Sequence, residues 1–337
     1  MGEKGYKGFK KGMVCKKEKK YKENTTYEEN GNDICKSGVM HYCENPFDVL
    51  DYYPLVNRNG DFSEFAEVEA LGNVLKKDNK SASNKLHIGA KLSFKNFIKA
   101  CIDFTLEKTK IDQKTTTIAG INTTDDYVKI SSSGKDSKIG SSGYSAQIGS
   151  AGNCAQIGSS GYFVKIGSSG ECAQIGSSGD HVKIGSSGYF VKIGSSGECA
   201  HIGSSGEWAH IGSSGECAHI GSSGDYVQIG SSGDYAQIGS SGDYAYIGSS
   251  GDGVKIGSSG KCARITASGE NSVICCAGCN SIVRAKKGSW ITLSEWRFSK
   301  EKNDIIPVCV KTEYVDGERI KEDTFYKLVD GEFKEIK

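Results

Sequence analysis

The sequence predicts a mainly β protein built around a parallel β-solenoid, with a small N-terminal α+β domain and a C-terminal β cap. Isoleucine recurs every nine residues from Ile121 to Ile274, 18 times without a miss, and a short fixed period is typical of solenoids and other repeat arrays. Ala or Val stands two residues before the next isoleucine position in 15 of the 18 units. We therefore assign residues 1–110 to the N-terminal domain, 111–120 to a connector, 121–282 to the solenoid and 283–337 to the cap.

Each repeat unit is predicted to form one short strand and one turn. The unit reads I-G-S-S-G-x-x-[AV]-x, as in Ile229–Gln237. In an extended chain the Ala/Val and the isoleucine two residues later point to the same side, so they form a small apolar inner face. The Gly-Ser-Ser-Gly run is typical of a turn, in which glycine is free to take a positive φ. A helix is excluded because no 3.6-residue periodicity is present.

Two units per coil is the simplest closed arrangement. A single unit is too short for two turns and a filled core, whereas two units give one strand to each of two facing parallel sheets. The 18 units then make about nine coils, roughly 43 Å long at about 4.8 Å per strand. Three units per coil, which would give a triangular helix, is the alternative.

The N-terminal domain is predicted to combine short strands with two helices. Asn45 followed by Pro46 is typical of a helix start, and Ser93 is predicted to cap an amphipathic helix that begins at Phe94. The predicted strands are Tyr6–Phe9, Thr26–Glu28, Phe65–Leu71 and Leu86–Leu92.

The C-terminal region is predicted to cap the solenoid. The repeat decays from Thr266 onward, and an uncovered solenoid edge would recruit other chains. We predict a small β-meander with turns at Asp316-Gly317 and Asp330-Gly331. Its predicted strands are Trp290–Trp296, Val308–Tyr314, Glu318–Ile320, Phe325–Leu328 and Glu332–Ile336.

Charge and composition exclude several classes of partner. Lys and Arg number 42 and Asp and Glu 41, so the net charge is +1, which predicts no general attraction to nucleic acid or to an anionic membrane. No apolar run approaches about 18 residues, so no membrane span is expected. The lysine-rich N-terminus is not followed by an apolar run, so we expect no secretory signal. The 13 cysteines then indicate free thiols in a reducing compartment.

An aromatic column is the main candidate binding surface. Four aromatic residues occupy the seventh position of every second unit, so two units per coil would stack them on one sheet face, pointing outward. An exposed aromatic stripe often marks an interface, and a ladder of rings that stabilises its own sheet is the equally weighted alternative. The four residues are Phe190, Trp208, Tyr226 and Tyr244.

The sequence predicts no bound metal. Calcium-binding nonapeptides read G-G-x-G-x-D-x-U-x, whereas here the acidic residue directly follows the glycine, as in Gly233-Asp234. His201, His210 and His219 are interpreted as an exposed polar ladder, with His210 on the opposite sheet from the other two. A zinc site is the alternative at the end of the repeat, although only one Cys-x-x-Cys pair is present. Its ligands would be Cys262, Cys275, Cys276 and Cys279.

One resemblance suggests an enzyme. Three features follow one another along the chain: a strand with Tyr6-Lys-Gly, the segment Gly38–Glu44 before a helix, and a strand with Glu67-Val-Glu69. This order is similar to that of ADP-ribosyltransferases. The resemblance is confined to the N-terminal domain. It implies NAD as cofactor and a site formed by Lys7, Tyr42, Glu67 and Glu69, although those enzymes usually have His or Arg where this chain has Lys7. The alternative is that Glu67 and Glu69 form the solvent face of an amphipathic strand.

A second resemblance covers nearly the whole chain. The features that carry it are Tyr6-Lys-Gly-Phe9, the run from Cys35 to Pro46, the nonapeptides and Asp323–Leu328. Together they resemble uncharacterised proteins encoded by phages and prophages of Gram-positive bacteria. The repeat is also similar to the head repeats of trimeric surface adhesins.

From these features we predict a non-enzymatic structural or interaction protein without a cofactor. It would bind a protein partner or itself through a solenoid face, in the bacterial cytoplasm or on a virion. The alternatives are an ADP-ribosyltransferase-like enzyme with a solenoid arm and an adhesin-type component that binds a host surface.

Overall fold

The computed structural model describes residues 2–16, 18–31, 38–57, 60–109 and 120–336, and over these residues the chain is mainly β. An N-terminal domain packs against one of the two long parallel sheets of a solenoid. The predicted connector lies outside the described residues except for Gly120, and so does most of the Cys35–Gly38 stretch.

Two parallel sheets of four-residue strands form the solenoid. We call the sheet under the N-terminal domain the covered sheet and the other the open sheet. The parallel strands of the covered sheet are β8 Gly120–Thr123, β10 Lys138–Ser141, β12 Gln156–Ser159, β14 Gln174–Ser177, β16 Lys192–Ser195, β18 His210–Ser213, β20 Gln228–Ser231, β22 Tyr246–Ser249, β24 Arg264–Ala267 and β26 Ile282–Ala285. Those of the open sheet are β9 Lys129–Ser132, β11 Gln147–Ser150, β13 Lys165–Ser168, β15 Lys183–Ser186, β17 His201–Ser204, β19 His219–Ser222, β21 Gln237–Ser240, β23 Lys255–Ser258, β25 Val273–Cys276 and β27 Trp290–Ser299.

The strand register confirms two repeat units per coil. Ile139 pairs with Ile157 on the covered sheet and Ile148 with Ile166 on the open sheet, so each strand lies beside the strand two units further along the chain. The triangular alternative is therefore wrong. Coils continue to Leu293, which pairs with Cys276, beyond the predicted end of the solenoid at residue 282. Ten parallel strands in each sheet make about ten coils, one more than the isoleucine count predicts.

The solenoid core consists of small apolar side chains and serine. The Ala/Val and Ile columns are buried between the two sheets, as predicted. The third residue of the unit also points inward, so a column of serines such as Ser213 and Ser231 is fully buried, with Oγ atoms that have no hydrogen-bond partner among the described residues. A hydroxyl fills less space than a branched apolar chain, and this keeps the two sheets close.

The turn differs from the prediction in one respect. The positive φ falls on the seventh residue of the unit, as at Trp208 (φ 57°) and Tyr226 (φ 57°), and not on the glycine. The fifth-position glycine is needed because neighbouring coils touch there. A Cβ atom at Gly215 would lie 1.9 Å from the carbonyl oxygen of Gly197, one coil earlier. No side chain fits that space.

The acidic residue after this glycine stabilises the turn. Asp225 Oδ1 accepts a hydrogen bond from the backbone N–H of Asp243 at 2.7 Å, and Asp234 Oδ1 accepts one from Asp252 at 2.8 Å. Each carboxylate therefore satisfies a backbone donor of the next coil. This contact is a structural reason for the aspartates of this column that does not involve a metal.

The N-terminal domain consists of two small antiparallel sheets, a 3₁₀ helix and one α-helix. The predicted helix at Asn45 is a 3₁₀ helix, Pro46–Asp51, with Asn45 Oδ1 accepting from the N–H of Phe47. The predicted helix after Ser93 is confirmed as α1, Phe94–Thr109, with Ser93 Oγ accepting from Asn96 N. The first sheet has the order β1 Glu3–Phe9, β4 Glu64–Ala70, β7 Lys85–Leu92 and β2 Thr25–Glu28, and the second β3 Met40–Tyr42, β6 Lys80–Ser83 and β5 Val74–Lys77.

The C-terminal strands extend both solenoid sheets and do not form the separate meander that the sequence predicts. Strand β28 (Asp304–Tyr314) pairs antiparallel with β27 on the open sheet. The hairpin of β29 (Phe325–Val329) and β30 (Glu332–Ile336) joins the covered sheet. Residues 318–320, a strand in the sequence-based prediction, form a bend in which Asp316 Oδ1 accepts three consecutive backbone N–H groups.

The two glycine columns predict opposite effects of the same substitution. Gly215→Ala places a methyl group against the carbonyl of Gly197, so we expect a loss on the order of 1–3 kcal/mol or more and a lower melting temperature. Gly221→Ala, in a strand of the open sheet, meets no atom within 4 Å, so we expect an unchanged or slightly raised melting temperature. Thermal melts followed by circular dichroism measure both. Equal melting temperatures would contradict the coil-contact explanation.

Candidate binding surfaces and pocket

Two columns of residues form the outer surface of each solenoid sheet. In every strand the residue before the isoleucine and the glycine after it point outward. From β10 to β23 the first column carries Lys, Gln, His or Tyr, and the second is glycine throughout. The two sheets therefore present nearly the same chemistry, and they differ in what covers them.

The N-terminal domain occupies the glycine column of the covered sheet. A Cβ atom at Gly194 would lie 3.3 Å from Phe47, and one at Gly212 would lie 2.3 Å from the end of the Ile98 side chain. Further along, Gly230 meets Phe94 in the same way. The absence of side chains on this column lets helix α1 approach the sheet and bury its apolar face.

Polar contacts complete this interface. Lys192 is 8% exposed, and its Nζ lies 2.8 Å from Asp51 and 3.6 Å from Asp48. Burial raises the pKa of Asp48, although the nearby Lys192 ammonium acts in the opposite direction. Arg284 Nη2 donates to Asp61 Oδ1 at 3.0 Å. Two basic side chains of the covered sheet, Lys192 and Arg284, are thus paired with carboxylates of the N-terminal domain.

The strand register divides the histidines between the two sheets as predicted, but His210 is not part of an exposed ladder. His201 and His219 are neighbours on the open sheet, with exposed, stacked rings 4.7 Å apart. His210 lies on the covered sheet beside Lys192. Its Nδ1 is buried without a hydrogen-bond partner among the described residues. Burial, with a smaller contribution from Lys192, lowers the pKa of His210 to about 3.

The open sheet carries a long shallow groove with a glycine floor. Nothing in the described chain lies within 4 Å of a Cβ atom placed at Gly185, Gly221, Gly239 or Gly257. The groove has a volume of about 1210 Å³ and runs from Lys129 to Cys275. Nine strands lie across it, so its length is roughly 40 Å at about 4.8 Å per strand. Its floor is apolar and flat.

One wall of the groove is basic. Four exposed lysines stand in the column before the isoleucines, and none forms an ion pair with a described carboxylate. Lys165 and Lys183 are direct neighbours in the strand register. No acidic residue occurs among the groove-lining residues. The four lysines are Lys129, Lys165, Lys183 and Lys255.

The aromatic column lies at a turn and not on a sheet face. Each of its rings is on the positive-φ residue that precedes a strand of the covered sheet. The rings of Trp208 and Tyr226 stack at 4.5 Å, and those of Tyr226 and Tyr244 at 4.9 Å, while Phe190 is tilted at 6.1 Å from Trp208. All four remain between 36% and 45% exposed. They stack on one another and also leave surface for a partner.

The four cysteines of the zinc alternative are separated by the strand geometry. Cys275 points outward into the open groove, while its neighbour Cys276 is buried in the solenoid core. Cys262 and Cys279 lie in adjacent turns, where the N–H of Cys262 donates to the carbonyl of Cys279. Among residues 2–16, 18–31, 38–57, 60–109 and 120–336, no group of three His, Cys, Asp or Glu side chains is placed to hold a metal ion.

A second concave site lies in the N-terminal domain. This cavity of about 340 Å³ lies between β1, the segment around Cys15, β3 and the residues that follow the 3₁₀ helix. Four lysines, Lys7, Lys16, Lys19 and Lys80, line it with several tyrosines, and Glu29 is the one carboxylate among the described lining residues. Glu29 forms an ion pair with Lys19.

Lys7 is the most buried of these lysines. It is 7% exposed, and its Nζ donates to the backbone carbonyl of His41 at 2.6 Å. The Nζ also lies 5.3 Å from the centre of the Tyr21 ring. Removal from water lowers the pKa of Lys7 to about 8, because the charged form loses its hydration.

The residues of the enzyme alternative fall into two groups. Lys7 and Tyr42 line the cavity, and the Tyr42 hydroxyl donates to Glu3 at 3.1 Å. Glu67 and Glu69 lie on β4 and are not among the lining residues; Glu67 is exposed and Glu69 accepts from Gly2 N at 2.8 Å. The structure therefore does not gather the four residues at one site. Sequence reasoning missed Lys16, Lys19, Lys80 and the open groove, although the lysine-rich N-terminus was a signal for the first two.

These features define a β-solenoid repeat protein with a small globular N-terminal domain. A family model described as a domain of unknown function (DUF7666) matches residues 3–100. The match includes every residue that lines the cavity and none that lines the groove. No curated protein and no solved structure matches the chain. Within the described residues, no helix has the length and apolar character needed to cross a membrane.

The burial of His210 predicts an acid-sensitive interface. The unfolded chain takes up a proton near the ordinary pKa of 6.5, whereas the folded protein resists it down to about 3. The stability from neutral His210 is therefore present above pH 6.5 and lost as the pH falls toward 3, by on the order of 1–2 kcal/mol near pH 5. We expect His210→Gln to flatten the fall in melting temperature between pH 6.5 and pH 4.5. His219→Gln, on the open sheet, is the matched control, and an equal effect of both substitutions would contradict this explanation.

Proposed function

We propose that the protein is a non-enzymatic interaction scaffold, whose solenoid presents the open groove to a protein partner. One observation carries the proposal: two equivalent glycine columns run along the solenoid, and the described chain covers only one of them. On the covered sheet, glycine gives a helix room to pack. The same residue recurs on the open sheet, where nothing in the described chain uses that room.

The covered sheet indicates which chemistry fits the open one. There, Ile98 and Ile102 of α1 lie on the glycine column, and Asp48 and Asp51 pair with Lys192. We therefore propose an amphipathic helix as the occupant of the groove, with an apolar ridge on the glycine floor and carboxylates beside the lysine wall. A helix that spans roughly 40 Å has about 27 residues.

The same charges favour a different protein over a second copy of this chain. Two open grooves placed face to face would bring two lysine walls together, with no carboxylate among the groove-lining residues to offset them. We propose no nucleic-acid or membrane partner, because the 13 acidic side chains of residues 121–282 outnumber the nine basic ones. On the sequence resemblance alone, we propose that the protein is encoded by a phage or prophage and acts in the bacterial cytoplasm or on the virion.

Reversing the charge of two lysines in the open groove tests whether the groove binds a protein partner. A photo-crosslinking residue at position 221 is used to capture the partner in host cells, and mass spectrometry identifies the crosslinked segment. We expect an acidic amphipathic segment whose capture falls at least about tenfold in Lys165→Glu/Lys183→Glu, since each lost ion pair becomes a repulsion. The matched control is Lys135→Glu/Lys261→Glu, which reverses two exposed turn lysines outside the groove.

Two other outcomes would overturn this assignment. Capture of a second copy of this chain would show self-association through the open sheet. Loss of the partner in Trp208→Ser/Tyr226→Ser, with no loss in the groove variant, would place the interface on the aromatic column. Circular dichroism on each variant establishes that the fold is retained.

A further inference from the structure

The cavity of the N-terminal domain has an excess of positive charge. Four lysines and one carboxylate line it, and the carboxylate of Glu29 is paired with Lys19. No described carboxylate lies within ion-pair distance of Lys7, Lys16 or Lys80. These lysines instead contact aromatic rings. Lys16 Nζ lies 5.6 Å from the centre of the Tyr53 ring and Lys80 Nζ lies 5.9 Å from that of Tyr52.

Neutral contacts do not balance a buried ammonium group. A lysine has three N–H donors, and Lys7 uses one of them on the carbonyl of His41. Ring faces attract cations only weakly. An unpaired charge inside a protein is costly unless an opposite charge accompanies it. The described structure does not supply that charge, and the donors of Lys7 adjoin the cavity.

The size of the cavity restricts what can supply the charge. At about 340 Å³ it is at the lower end of the range of about 300–1,000 Å³ that small-molecule sites occupy. A phosphate group carries close to two negative charges near neutral pH and offers several acceptor oxygens, so it can satisfy more than one lysine at once. Tyrosines around the cavity provide apolar surface for the organic part of such a ligand.

We propose that this cavity binds a small organic phosphate, with its phosphate group placed between Lys7 and the lysines at the rim. The proposal does not depend on the open groove, because the groove-lining residues are all in the solenoid. It also does not require catalysis, since Glu67 and Glu69 are not among the lining residues.

Calorimetric titration tests this proposal on the full-length protein. The probes are adenosine 5′-monophosphate and ribose 5-phosphate, each beside its dephosphorylated counterpart, together with inorganic phosphate. We expect at least one organic phosphate to bind with Kd below about 1 mM, its dephosphorylated form not to bind, and the affinity to fall with added salt.

Matched variants assign the binding to the cavity. Lys7→Met keeps the length of the side chain and removes its charge, and we expect it to weaken binding at least about tenfold. Lys20→Met makes the same change at an exposed lysine nearby that does not line the cavity, so binding should persist. If Lys7→Met does not fold, as judged by circular dichroism, Lys80→Met takes its place.

Three results would overturn the proposal. The first is that neither organic phosphate binds better than its dephosphorylated form. The second is that inorganic phosphate alone binds, which would exclude the organic part. The third is that the lysine variants of the cavity and Lys20→Met weaken binding equally. We expect Lys165→Glu/Lys183→Glu to retain phosphate binding whether or not the open groove binds a protein partner. A failure of one proposal can therefore be distinguished from a failure of the other.

Discussion

The solenoid depends on one close contact between successive coils, which glycine alone permits. At the fifth position of the units from Gly143 to Gly278, an added Cβ atom would lie 1.8–2.1 Å from a carbonyl oxygen of the preceding coil, as at Gly188 against Gly170. This spacing locks each coil on the one before it, so every position of the unit is repeated in a straight column. The Ala/Val and Ile columns then form a continuous core. The outer columns become surfaces whose chemistry is set by the sequence of one unit.

A second glycine serves a different purpose, and the comparison of the two sheets shows which. The strand glycine after each isoleucine is not crowded by its own coil, since nothing lies within 4 Å of a Cβ atom placed at Gly221 or Gly239 on the open sheet. On the covered sheet the same column is crowded by the N-terminal domain, with Ile98 over Gly212 and Phe94 over Gly230. Glycine therefore creates a docking surface here. The structure contains one such glycine column covered by the N-terminal domain beside another that the described chain leaves uncovered.

The sequence predicted the parts of this molecule that depend on local pattern. The nine-residue period and the alternation around each isoleucine were sufficient for the strands, the two-unit coil and the two sheets, and Ser93 was sufficient for the start of α1. The positive φ at Trp208 could not be predicted, because the reason for Gly206 is a contact with the preceding coil and not its own dihedral angle. The lysine-lined cavity could not be predicted from the sequence either, because residues 7, 16, 19 and 80 are brought together only by the tertiary fold.

Departures from the repeat show that the glycines of the covered sheet are kept for packing. Where the sheet passes beyond helix α1, glycine gives way to Thr266 and then Arg284 in the same column. Both side chains donate to the carbonyl of Gly60 in the N-terminal domain, each at 2.8 Å. The column thus carries glycine where an apolar side chain must approach and a polar side chain where a loop must be held. On the open sheet the column is glycine from Gly149 to Gly257 and then Cys275, a run of the same length that the described chain does not cover. The proposed binding of a helical partner depends on this uncovered run.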